Sequence, residues 1–154
     1  MKISYKKIKS IIPKIVLLIS AVLLSACSVN NSTLHENYID NNGMVVSELV
    51  EVSREKIIIN YINASENKFI FGERFILQSF EKGSWKEVEI LPNVAFHDIG
   101  YGIEAGGGKT SNNDPYNIER IYGKLKNGHY RIIQDMEIGR ESKYIQVITE
   151  FDLT

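Results

Sequence analysis

Residues 130–153 read YRIIQDMEIGRESKYIQVITEFDL, and the period of this stretch is two. From Tyr130 to Ile138, Tyr130, Ile132, Met136 and Ile138 fall on one side, while Arg131, Asp135 and Glu137 fall on the other. From Lys143 to Leu153, Ile145, Val147, Phe151 and Leu153 alternate with Gln146, Glu150 and Asp152. Side chains of a strand point to opposite faces in turn, so this pattern predicts two strands, each with one buried face. Gly139-Arg140-Glu141-Ser142 supplies the turn that makes them a hairpin.

The chain upstream repeats the same unit, a short β-prone run followed by a turn. Val45–Val52 comes first, then the β-branched and aromatic run Lys56–Ile62. Phe69–Phe71 and Phe75–Phe80 flank Gly72, and Trp85–Ile90 follows the turn Lys82-Gly83-Ser84. Between Asn93 and Ile118 the pattern dissolves into Gly- and Asn-rich loops around one irregular strand. About seven short strands in this arrangement predict an all-β sandwich. Leu125-x-x-Gly128-x-Tyr130-Arg131-Ile132 also fits an immunoglobulin-type tyrosine corner, in which a Tyr two residues before a core position bonds back to the backbone. Ile132 holds the core position here, so the expected sandwich is immunoglobulin-like and lacks a disulfide.

Length bounds the rest. The chain has 154 residues, enough for one domain and a tail. Its 18 Lys+Arg and 19 Asp+Glu are unevenly spread. Residues 1–26 carry Lys2, Lys6, Lys7, Lys9 and Lys14 and no acid, which leaves 13 basic and 19 acidic residues beyond them, a net of −6. That charge argues against nucleic acid, whose binding needs clustered Lys and Arg, and against electrostatic docking on anionic lipid.

The basic segment precedes Ile15–Leu24, an apolar run interrupted only by Ser20 and too short to span a bilayer as a helix. Positive flank, short apolar core and small residues at the end make a secretory signal peptide over residues 1–26. Leu24-Ser25-Ala26-Cys27 resembles the bacterial lipobox, whose Cys is lipidated and becomes the first mature residue. A thiol is the strongest nucleophile available for accepting a diacylglyceryl group, and two or more acyl chains anchor stably where one does not. Cys27 is the only Cys, so its lipidation leaves no thiol for a disulfide or for catalysis. Residues 28–43, rich in Asn, Ser and Asp, complete a flexible tether begun by Cys27, with a span of roughly 20–25 Å. The domain then occupies 44–154. Asn-x-Ser/Thr matches at Asn30, Asn31 and Asn63 carry no weight in a bacterial lipoprotein.

Three segments of this domain resemble a family of bacterial Ig-like domains found in secreted proteins and lipoproteins of Gram-positive bacteria. They are Phe71-Gly72-Glu73-Arg74-Phe75-x-Leu77, Lys82-Gly83-Ser84-Trp85, and Tyr122-Gly123-x-Leu125-x-x-Gly128-x-Tyr130-Arg131-Ile132. Their order and spacing agree with the family over roughly residues 45–153. Two positions depart from it: Ile118 stands where an aromatic is expected, and Gln134 where a Lys is common. The resemblance implies an Ig-like sandwich and says little about ligands.

Motifs for chemistry are sparse. Gly106-Gly107-Gly108-Lys109-Thr110 mimics the end of a phosphate loop, but Ile103 occupies the place of its first Gly, so a strand-connecting loop is expected. His35, His97 and His129 show no zinc spacing, and His97-Asp98 is the nearest thing to a site. Ser111-Asn112-Asn113-Asp114 has oxygen ligands without the spacing of a calcium loop. No catalytic residue, metal site or cofactor is expected. Glu87 and Glu89 alternate with Val88 and Ile90, as on a solvated strand face. Trp85, Tyr101 and Tyr116 are the candidate contact surface, since loops at sandwich ends and hairpin aromatics often meet partners.

These readings converge on a lipid-anchored lipoprotein on the extracytoplasmic face of a bacterial cell membrane. It displays a non-enzymatic binding domain for an envelope protein or polymer. The competing expectations are an envelope accessory or immunity-type protein, and a metal-dependent enzyme using His97, Asp98 and Asn112–Asp114.

Overall fold

The C-terminal hairpin forms as its alternation requires. In the computed structural model, which describes residues 38–111 and 116–154, β9 (Gly128–Ile138) and β10 (Tyr144–Leu153) pair antiparallel from Glu137↔Tyr144 to Gly128↔Leu153. Ile132, Met136 and Ile145 are fully buried, and Val147, Phe151 and Leu153 nearly so. The signal segment, Cys27 with Leu24, Ser25 and Ala26, the tether up to residue 37 and the Asn112–Asp114 run lie outside the described residues.

Upstream stand β1 (Val45–Val52), β2 (Lys56–Asn63), β3 (Phe69–Phe71), β4 (Ile76–Glu81) and β5 (Ser84–Glu87). The irregular stretch contributes three short strands rather than one: β6 (Tyr101–Ile103), β7 (Lys109–Ser111) and β8 (Tyr116–Asn117). A five-residue helix, α1 (Ile118–Tyr122), follows, with Asn117 Oδ1 capping Arg120 N–H at 3.0 Å. Short strands of two or three residues leave no room for alternation, so periodicity could not reveal them.

The strands form two sheets. In the smaller, β1 takes one edge of β2, and β7 and β8 share the other end to end. In the larger, β10 takes one edge of β9 along its whole length. β4 and β3 share the second edge, against Ile132 and Ile138 respectively, with β5 beyond β4 and β6 beyond β3. The inner faces bury Ile57, Ile59 and Tyr61 of one sheet with Phe69, Leu77 and Ile132 of the other. This is an immunoglobulin-like β-sandwich without a disulfide. The β4–β5 hairpin closes through Lys82 (φ 51°) and Gly83 (φ 82°), two left-handed residues in a row, the twist that a two-residue hairpin turn needs.

The tyrosine corner is present. Tyr130 Oη donates to Lys126 O at 2.9 Å, and its ring stacks on Phe151 at 5.8 Å. Tyr122 makes a second tie: its buried hydroxyl donates to Phe75 O (2.9 Å) and accepts from Leu77 N–H (3.2 Å). Burial pushes that phenol up to about 12. Tyr130→Phe removes the corner bond while keeping the ring, and is expected to cost about 1 kcal/mol, read as a fall of about 4 °C in the melting midpoint. An unchanged midpoint would show the hydroxyl to be as well served by water.

Residues 38–43, part of the tether by composition, lie against the sheet. Ile39 N–H donates to Tyr144 O at 2.9 Å, on the outer edge of β10, and the rings of Tyr38 and Tyr144 are 5.7 Å apart. Asn41 clamps the start of β1, accepting from Val45 N–H (2.9 Å) and donating to Val45 O (2.8 Å).

Candidate functional site

Asn63, at the end of β2, organises the Gly-rich loop. It is fully buried, and its Oδ1 accepts from Ser65 N–H and Oγ–H, both at 2.9 Å, while Nδ2 donates to Asn67 O and Glu104 O. Gly107 N–H donates to Asn63 O and Gly106 N–H to Ser65 O, each at 2.8 Å. Amides pointed into the protein cannot cradle a phosphate, so the loop acts as a strand connector, in line with its missing first Gly.

Toward the other end of β2, where β8 pairs with Lys56 and Ile57, the turn after β3, β6, β8, α1 and the 91–100 loop line an open cavity of about 460 Å³. Phe71, Phe75, Phe96, Tyr101 and Tyr116 supply its aromatic wall. Phe75 and Tyr116 pack with centroids 4.3 Å apart, and Phe71 and Tyr101 at 5.5 Å. Glu73, His97 and Arg120 give it polar groups. Glu73 is only 16% exposed in its side chain; Oε2 accepts from His97 N–H at 2.8 Å, and the His97 Nδ1 lies 3.1 Å from both carboxylate oxygens. The His97 backbone N–H, aided by the imidazole and by Arg120, outweighs burial and holds Glu73 below the usual carboxylate range. Arg120 also reaches Ala95 O at 3.4 Å. The carboxylate thus ties the 91–100 loop down beside the cavity.

Beneath this wall lies a polar chain that spans both sheets. Tyr116 Oη donates to Gln134 Oε1 at 2.8 Å, so the Tyr61 hydroxyl, 2.9 Å away, donates its proton to Tyr116. Gln134 is 1% exposed, and its Nε2 donates to Arg74 O (3.1 Å), Asp135 O (3.2 Å) and Gly72 O (3.4 Å). The amide fills the break in the ladder where β9 passes from β4 to β3. Burial raises the Tyr61 and Tyr116 phenols well above their ordinary value.

The sequence candidates are divided by the structure. Tyr116, expected on a contact surface, is buried at 6% exposure and serves the cavity from within, because its hydroxyl has a core acceptor. Tyr101 is half-buried in the cavity wall. Trp85 lies elsewhere, half-buried on β5, with the Arg131 guanidinium 4.4 Å from its ring centroid. His97 pairs with Glu73 rather than with its neighbour Asp98, which is exposed. Among the described residues no group of three or more His, Cys, Asp or Glu could hold a metal ion, and no helix is long and apolar enough to cross a membrane. Glu73 and Gln134 become site residues only in the fold: neither carries a spacing signal in the sequence, and each finds its partners across long separations.

His129, on the larger sheet's outer face, lies between two carboxylates: Nδ1 is 2.9 Å from Asp152 Oδ1 and Nε2 is 3.2 Å from Glu150 Oε2. The hydrogen bond to Asp152 is the largest cause of a raised pKa; burial opposes it next, and Glu150 adds to the rise. A raised folded-state value means that the pair stabilises the fold below pH about 6.5 and that this contribution is lost as pH rises through the folded-state pKa. Asp152→Asn is expected to bring the value down toward 6.5, followed by a proton NMR titration of the imidazole; an unmoved titration would remove Asp152 as the cause.

A family model described as a bacterial Ig-like domain matches residues 44–152. No curated protein and no solved structure matches the chain.

Proposed function

Because the chain belongs to the bacterial Ig-like domain family, we propose that it is a non-enzymatic interaction module, held on the outer side of a bacterial membrane by lipid on Cys27. The observation that supports binding is the cavity of about 460 Å³ beside α1, walled by aromatic side chains and flanked by the His97–Glu73 pair. Both Glu73 oxygens are engaged by His97, which suits a fixed recognition surface better than proton transfer. The partner is an envelope protein or polymer. Neither nucleic acid nor a cofactor is part of this reading, and the net of −6 beyond residue 26 supports the first exclusion.

The anchor follows from Leu24-Ser25-Ala26-Cys27 and the apolar run before it. With a tagged full-length chain, Cys27→Ser is expected to move the protein out of the lipid-modified membrane fraction. In-cell crosslinking is expected to capture a defined species that disappears both in this variant and in Phe96→Ala, which opens the cavity wall. A Ser variant that still carries lipid, or a captured species indifferent to both changes, would overturn the reading.

A further inference from the structure

The larger sheet turns its outer face to solvent, and the register arranges that face in two rows. Phe80 is opposite Trp85 and next to His129, which is opposite Asp152. One step along the strands, Gln78 is opposite both Glu87 and Arg131, and Arg131 is opposite Glu150. Each row therefore crosses β5, β4, β9 and β10, three inter-strand spacings or about 14 Å.

The side chains in these rows are held by one another. Phe80 and Trp85 meet edge to face at 5.1 Å, and Trp85 and His129 lie 5.2 Å apart. Arg131 Nε donates to Gln78 Oε1 at 2.7 Å while its guanidinium covers the Trp85 ring at 4.4 Å. Phe80 is nonetheless 46% exposed, and the Glu150 and Asp152 side chains are 52% and 72% exposed. Preorganised aromatic rings bordered by fixed acceptors and donors form an amphipathic surface with little ordering left to do on binding.

We infer that this face is a second binding surface of the interaction module proposed above, on which this inference rests, and that it binds a neutral glycan chain. A pyranose has an apolar C–H face and a rim of hydroxyls. The first matches Trp85 and Phe80, and the second matches the carboxylates as acceptors and the Gln78 amide and Arg131 as donors. The length of a row fits about three linked sugars. Charge selects among glycans: within the two rows Glu87, Glu150 and Asp152 outnumber Arg131, which disfavours an anionic polymer.

Trp85 is the only Trp, so its emission reports on this face alone. The full-length protein in detergent micelles is titrated with the β-1,4-linked tetramer of N-acetylglucosamine. A saturable change in emission is expected, weakened about tenfold by Phe80→Ala and by Gln78→Ala, the loss of one stacking or hydrogen-bonding contact. Glu48→Gln, on the opposite sheet, should leave it unchanged, and thermal melts check that each variant is folded. The inference is overturned by no saturable change, by equal affinity in the Phe80 and Gln78 variants, or by a stronger response to polyphosphate than to the sugar. If the sugar fails while crosslinking through the cavity persists, the platform falls and the interaction module stands.

Discussion

Gln134→Leu is expected to destabilise the domain by about 2–4 kcal/mol, although it places an apolar side chain of similar size in an apolar interior. The amide at this position acts in both directions. Its oxygen accepts from Tyr116, and its nitrogen donates to the carbonyls of Gly72 and Arg74 in the segment linking β3 to β4. Leu leaves the buried Tyr61–Tyr116 pair one acceptor short, since the two hydroxyls can share only one bond, and frees a segment whose backbone has no strand partner there. Tyr116→Phe alone is expected to cost about 1 kcal/mol, and the double variant less than the sum, because each single change already leaves one hydroxyl of the same chain without an acceptor. Denaturant titration of the four proteins gives the coupling. Strict additivity would mean that the two side chains do not act as a unit. A Lys at this position could donate but not accept, so the Tyr61–Tyr116 chain is matched to the Gln this sequence carries.

Asn63→Ala is expected to cost about 3 kcal/mol, since it withdraws four hydrogen bonds from a fully buried position and leaves their partners unpaired. The damage should be local to the 104–108 loop and the end of β2, and amide hydrogen exchange at Gly106 and Gly107 should accelerate more than elsewhere. Gly108→Ala is the companion variant. A Cβ there would sit 2.2 Å from Glu104 O, a backbone atom, so the loop must move, at an expected cost of about 2–3 kcal/mol. Both changes break the same loop, so the double variant is expected to cost less than the two together. Exchange rates unchanged in Asn63→Ala would show that Asn63 does not hold the loop.

Recognition of the site from the residues alone had a clear limit. The hairpin, its buried positions and the tyrosine corner were legible because each depends on residues close in sequence: alternation over ten residues, or Tyr130 reaching back four positions to Lys126. Trp85 and Tyr101 were legible as aromatics near turns, but their neighbours were not. Glu73 meets His97 across 24 positions, and Tyr116 meets Tyr61 across 55. No spacing rule links such pairs, because the path between them is set by the order of strands in the sheets. Tyr116 illustrates the cost of that blindness: next to a Gly- and Asn-rich stretch it reads as a loop aromatic, yet pairing of β8 with β2 carries it inside.

The sequence by itself determined the period-two strands, the single sandwich and the absence of a disulfide, since these are properties of local pattern and of which residues exist. Tertiary structure alone decided what lies together. It brought Glu73 to His97, set Gln134 as the polar pin of the core and aligned Trp85, Phe80, His129 and Asp152 across four strands. The physical reason is that a strand fixes only which side its residues face, whereas pairing and register fix which residues share that side.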